Sequence, residues 1–137
     1  MKSYEKEQQR IERYCIEVQH ELPDNVHAWV ARNVLWNYLN FEGRHYMSNC
    51  GACASFLYGK KYEITFYNSS FVRQMPKELV KAMIAHEIAH TYLSQKTNHD
   101  KCAESVLDQY ERDADSLAIS WKFKILELNE YSNNRKV

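Results

Sequence analysis

Two histidines and a glutamate in one short segment are the residues of this sequence best suited to chemistry. Residues His86–His90 read HEIAH and lie within residues 76–95, which contain no helix breaker after Pro76 and predict a helix. Residues four apart are neighbours on a helix, so the two imidazoles can bind one metal ion. Glu87 falls in the same sector of about 100° and can take a proton from water that the metal activates.

The rest of this predicted helix is apolar on nearly every side, which indicates that the helix is buried. Burying two histidines and a glutamate together costs free energy unless these side chains have partners. A metal ion supplies a partner for both imidazoles, so we interpret His86 and His90 as ligands of one zinc ion. The apolar positions are Leu79, Val80, Met83, Ile84, Ala85, Ile88, Ala89 and Leu93.

A third ligand is expected from elsewhere in the chain, because catalytic zinc sites commonly have three protein ligands and one open position. Residues 102–130 predict a long helix with an apolar stripe. Glu111 lies at the margin of that stripe and is the acidic residue on that side most inclined toward the core. Asp115, one turn further on, is placed to hydrogen-bond a ligating histidine. His99 is a rival third ligand.

The two segments together resemble the gluzincins, zinc metallopeptidases whose third ligand is a glutamate, and among them the minigluzincins and the ImmA/IrrE-like peptidases. The resemblance rests on HEIAH at His86–His90 and on ERDADSLA at Glu111–Ala118, which is similar to the family's Glu-x-x-Ala-Asp/Asn pattern. It implies that the two histidines and Glu111 hold one Zn²⁺ ion. It further implies that Glu87 is the general base and that Asp115 is a supporting acid.

The whole chain predicts an α+β fold that is rich in helix, in the order two helices, a small meandering sheet of three strands, and two helices. Tyr62–Tyr67 alternates in character and is the clearest strand. No repeat or linker interrupts residues 1–137, so a single domain is expected, and the resemblance implies a zincin-like metallopeptidase domain. The helices are expected at residues 3–20, 25–40, 76–95 and 102–130, and the strands within residues 44–72.

Charge and composition argue against two classes of partner. The 137 residues contain 18 Lys or Arg and 18 Asp or Glu, so the formal net charge is zero, which disfavours binding to nucleic acid or to an anionic membrane. No stretch approaches the roughly 20 apolar residues of a membrane span, and the charged first residues lack the core of a signal peptide. A cytoplasmic location is therefore expected, with the four cysteines as thiols.

Cys50 and Cys53 form a Cys-x-x-Cys pair that offers a different chemistry. A structural zinc site needs four ligands, and no second pair follows at the spacing of a zinc ribbon. We therefore expect two ordinary thiols in a turn. The alternative is a deformylase-like site, in which a cysteine upstream of the HEIAH segment is the third zinc ligand.

The expected activity is zinc-dependent hydrolysis of peptide bonds in a protein or peptide substrate. His99, Tyr110 and Arg112 are candidates for stabilising the oxyanion, and the sequence does not choose among them. The substrate is expected to add as an extended strand along residues 62–67. Two alternatives stay open, a metal-bearing interaction module that does not cut its partner and a deformylase-like amide hydrolase. No oligomeric state follows from the sequence.

Overall fold

A computed structural model describes residues 2–39, 52–57, 61–97 and 104–134. These residues form a helix-rich α+β fold, which confirms the fold class expected from the sequence. Its elements in chain order are α1 (Ser3–Glu21), α2 (Asp24–Asn33), β1 (Val34–Leu39), β2 (Ala52–Leu57), β3 (Lys61–Tyr67), α3 (Ser70–Arg73), α4 (Lys77–Thr97), α5 (Glu104–Ser120) and α6 (Ile125–Asn134).

The first helix matches its prediction, because its apolar residues recur at intervals of three and four. Ile11, Tyr14, Cys15 and Val18 are all buried, and together they form the face of α1 that packs into the core. Burial raises the pKa of the Cys15 thiol to about 12, and the nearby charge of Glu12 adds to this rise. Cys15 is therefore a packing residue and not a reactive thiol.

The second helix is shorter than predicted. We expected a helix over residues 25–40, but α2 ends at Asn33 and the chain continues as β1. Val34 is buried whereas Leu35 is half exposed, so the first two side chains of β1 face opposite sides of the sheet. The apolar residues of this stretch fit the repeat of a helix as well as that of a strand. Pairing with the distant strand at residues 61–67 favours the strand.

The sheet has the strand order β1-β3-β2, so β3 lies in the centre. β1 runs parallel to β3, with Val34 opposite Tyr62, whereas β2 runs antiparallel to β3, with Ala54 opposite Ile64. The predicted strand at Tyr62–Tyr67 is confirmed, but the predicted meander is wrong because β1 and β3 are parallel and cannot be joined by a tight turn.

The helix that contains His86 and His90 is the buried centre of the fold. α4 contacts α1, α2, α5 and α6 as well as β2 and β3. Val80, Ile84 and Ile88 are fully buried, as the apolar character of this stretch predicted. In the described part of the chain, no helix is both long enough and apolar enough to cross a bilayer.

Lys81 is a buried cation that connects α4 to α1. Its side chain is 7% exposed, and its ammonium forms an ion pair with Glu21 and lies 4.0 Å from a carboxylate oxygen of Glu17. Lys77, one turn earlier, pairs with Glu17 at 2.9 Å. A buried ammonium is tolerated only when it has partners, so α1 is held against the helix that carries the two histidines.

The predicted helix over residues 102–130 is interrupted. α5 ends at Ser120 and α6 begins at Ile125, because the chain makes a Schellman turn between them. The N–H of Phe123 donates to the carbonyl of Ala118 at 3.2 Å. The N–H of Lys122 donates to the carbonyl of Ile119 at 2.8 Å. Lys122 has a φ of 77°, in the left-handed region that favours glycine. Because lysine occupies this position, no glycine marks the break in the sequence.

Replacement of Lys122 by glycine is expected to stabilise the protein by about 1 kcal/mol, because glycine has no Cβ to crowd a positive φ. Urea unfolding followed by circular dichroism measures this change in the free energy of unfolding. Lys122→Ala is the matched control, because it removes the same charge and keeps a Cβ. Equal stability of the two variants would contradict the assigned turn.

Candidate metal centre

Helix α4 places His86 and His90 side by side, as their spacing predicted. The two Nε2 atoms are 3.1 Å apart, and the ring centroids are 4.6 Å apart. Each side chain is 14% exposed, so both imidazoles lie in the wall of the core and keep only a small opening to solvent. Two ring nitrogens at this separation point toward a common centre.

Helix α5 brings Glu111 to the same centre. One carboxylate oxygen lies 3.1 Å from Nε2 of His86, and the other lies 2.8 Å from Nε2 of His90. Ala114 and Ala118 are fully buried on α5, and α5 packs against α4. Small residues at a helix contact let two helices approach closely, which explains how a glutamate from α5 reaches histidines on α4.

Asp115 hydrogen-bonds His86 from the side away from the centre. Its Oδ1 atom lies 2.8 Å from Nδ1 of His86. Because a carboxylate accepts, Nδ1 is the donor, and the Nε2 atom of a neutral His86 presents its lone pair to the centre. The carboxylate at Asp115 therefore fixes both the orientation and the tautomer of this imidazole, in the manner of a carboxylate behind a metal-ligating histidine.

The pKa values of the clustered groups indicate that the centre favours positive charge. Burial by itself would lower the pKa of His86, but hydrogen bonds to Asp115 and Glu111 outweigh burial and raise that pKa to about 10. Burial works to raise the pKa of Glu111, but hydrogen bonds to His86 and His90 outweigh it and lower that pKa below its usual range. Both shifts have the same cause, the attraction between a protonated imidazole and the carboxylates around it.

The three side chains fit a metal ion. One ligand atom from each of His86, His90 and Glu111 lies within 4.8 Å of the other two. The closest separations of 2.8 to 3.1 Å are near the roughly 3.3 Å expected between ligands of a tetrahedral zinc ion with bonds of about 2.0 Å. Two histidines and a carboxylate are a donor set that zinc accepts, and three protein ligands leave one position for water or substrate.

Glu87 follows His86 directly on α4, and its side chain reaches the edge strand β2. Burial raises the pKa of its carboxyl group, while the nearby His86 and His90 oppose that rise. The backbone of Ala54 in β2 also hydrogen-bonds this carboxyl group and lowers its pKa. A partly buried carboxylate with a raised pKa beside two histidines is a better proton acceptor than an exposed one.

The other candidate residues from the sequence are the rival third ligands and the candidates for stabilising the oxyanion. His99 and Cys50 lie outside the described residues, and Cys53 lies in β2. Arg112 is exposed, and its guanidinium donates to the side chain of Gln109 on the same helix at 2.8 Å. Tyr110 is partly buried on α5 next to Glu111.

Two contacts at the site were missed by sequence reasoning. The first is the hydrogen bond from the backbone of Ala54 to Glu87. The second is a hydrogen bond from Nδ2 of Asn129, in α6, to Oδ2 of Asp115 at 3.1 Å. Both partners are distant in sequence from the residues they contact, so no local period could indicate them.

Comparison of the chain with family models, with curated proteins and with solved structures gave no match. The geometry of the cluster is therefore the basis for a functional proposal.

The protein is expected to bind one equivalent of zinc, and His86→Ala is expected to abolish tight binding because it removes one of three ligands. Free zinc at 100 times its dissociation constant should raise the free energy of unfolding by about 2.7 kcal/mol, since only the folded cluster binds tightly. Urea unfolding with zinc or with a chelator measures this effect.

His20→Ala is the control for this experiment, because His20 is an exposed histidine on α1 outside the cluster. It should keep the full stabilisation by zinc. If zinc stabilised both variants equally, the cluster would not be the binding site.

Proposed function

We propose that the protein is a zinc-dependent metallopeptidase with a gluzincin-like site in a zincin-like domain. The observation that carries this proposal is the convergence of His86, His90 and Glu111 from two helices, with ligand atoms within 4.8 Å of one another. Glu87 stands next to the first histidine, where a general base is required. The resemblance in sequence assigns the same residues to the same roles.

The roles of the residues follow from their chemistry. Zinc, when bound, would polarise an amide carbonyl and make water more acidic. Glu87 then takes a proton from the attacking water and delivers it to the leaving amine. Asp115 holds the His86 ring so that Nε2 keeps its lone pair toward the centre.

The substrate is proposed to bind along β2 and not along residues 62–67. That earlier expectation is wrong, because β3 is the central strand and pairs on both sides with other strands. β2 is an edge strand of the described sheet, and it borders the site because the backbone of Ala54 reaches Glu87. An extended peptide added beside β2 would lie next to the general base.

The contacts of Glu111 favour a peptidase of this type over the deformylase-like alternative. A deformylase-like site takes a cysteine as third ligand, whereas here a carboxylate oxygen lies within 3.1 Å of each histidine nitrogen. A cytoplasmic location and a protein or peptide substrate belong to the same proposal.

Glu87→Gln is expected to keep zinc binding and to reduce turnover by about 10²- to 10⁴-fold, because glutamine cannot accept the proton. Purified zinc-loaded protein is incubated with an unstructured protein such as casein, and new peptide termini are counted by mass spectrometry. Zinc content is measured in parallel by elemental analysis.

Glu78→Gln serves as the matched control, since Glu78 is an exposed glutamate near the start of the same helix. It should cleave as the wild type does. Full activity of Glu87→Gln would remove Glu87 from the mechanism. If the zinc-loaded wild type cleaves neither folded nor unfolded substrate proteins, the non-catalytic interaction module is favoured instead.

A further inference from the structure

We propose that Asn129 is a positioning residue for the metal centre and acts through Asp115. Nδ2 of Asn129 donates to Oδ2 of Asp115 at 3.1 Å, while Oδ1 of Asp115 accepts from His86 at 2.8 Å. A continuous chain of hydrogen bonds thus joins α6 to a metal ligand on α4. This inference rests on the proposed function, because it takes His86 as a zinc ligand.

The two oxygens of Asp115 are held by donors from two different helices. The side chain of Asp115 is 26% exposed, so packing alone does not fix the plane of its carboxylate. With a single donor, the carboxylate can rotate and offer either oxygen, or water, to the imidazole. A second donor on Oδ2 fixes that plane, and Oδ1 then stays aligned with Nδ1 of His86.

The side chain of Asn129 is exposed, but the helix that carries it is anchored on both sides of this residue. Ile125 and Leu128 are buried, and α6 contacts α4 and α5. Tyr131 packs its ring 5.4 Å from that of Phe71 and donates its hydroxyl to the carbonyl of the same residue at 3.3 Å. The amide group therefore projects from a helix whose position is set by the core.

The turn at Lys122 makes the contact possible. In one straight helix, Asn129 would lie about 21 Å from Asp115 along the axis, because 14 residues separate them at a rise of 1.5 Å each. The break after Ser120 folds α6 back toward α5 and brings the two side chains within 3.1 Å. The break between α5 and α6 thus allows Asn129 to hydrogen-bond Asp115.

Zinc affinity, measured by competition with a fluorescent chelator at fixed pH, tests the proposal. Asn129→Ala is expected to weaken zinc binding about threefold to tenfold, less than the 10- to 100-fold typical when a group in direct contact with a ligand is lost. Asn133→Ala is the control, because Asn133 is an exposed asparagine one turn further along the same helix. It should bind zinc as the wild type does.

A double-mutant cycle separates positioning from a general structural role. In an Asp115→Ala background, Asn129→Ala should cause no further loss of zinc affinity, because the group through which it acts is gone. The absorption spectrum of the cobalt-substituted protein should change with Asn129→Ala and not with Asn133→Ala, since it reports ligand geometry. Asn129→Gln keeps the donor and should recover more affinity than Asn129→Leu does.

The outcomes are distinct. If the wild type bound no zinc, the proposed function would fail and the inference with it. If the wild type bound zinc and Asn129→Ala bound it equally well, only the inference would be overturned. An equal loss in both backgrounds would assign Asn129 to helix docking and overturn it as well. If Asp115→Ala does not fold, equal affinities of the Gln and Leu variants at position 129 would overturn it.

Discussion

The packing of α5 on α4 forces two imidazole nitrogens and a carboxylate into contact, and the candidate site depends on that convergence. Asp115 accepts the hydrogen on Nδ1 of His86, so Nε2 of the neutral imidazole and the carboxylate of Glu111 turn lone pairs toward each other. A cluster of lone pairs is unfavourable in a partly buried position unless a proton or a metal ion binds to it. The raised pKa of His86 and the lowered pKa of Glu111 express this same requirement for positive charge.

The features that the sequence predicted are those set by local periodicity. The spacing of His86 and His90 follows from the helical repeat alone, and the position of Glu111 follows from its angle to an apolar stripe on its own helix. Asp115, one turn beyond Glu111, was expected to support a ligating histidine, and it lies 2.8 Å from His86. The apolar character of α4 likewise predicted its burial.

The features that the sequence did not predict depend on contacts between distant segments. Residues 34–39 fit a helical and a strand pattern equally, and only the parallel pairing with β3 decides between them. The end of α5 has lysine where glycine would have marked a turn, so the predicted helix ran on to residue 130. The contact of Asn129 with Asp115 depends on that turn, and the contact of Ala54 with Glu87 depends on the position of β2.

The ion pair between Lys81 and Glu21 attaches the first helix to α4, the helix that holds His86 and His90. Sixty positions separate the two residues along the chain, yet the ammonium lies only five residues before His86 on the same helix. Proteolytic cleavage near Pro23 that released α1 would leave this buried ammonium without its partners on α1, about one turn before the two histidines. Loss of the first helix would thus destabilise the helix that holds His86 and His90, although the two segments are far apart in the sequence.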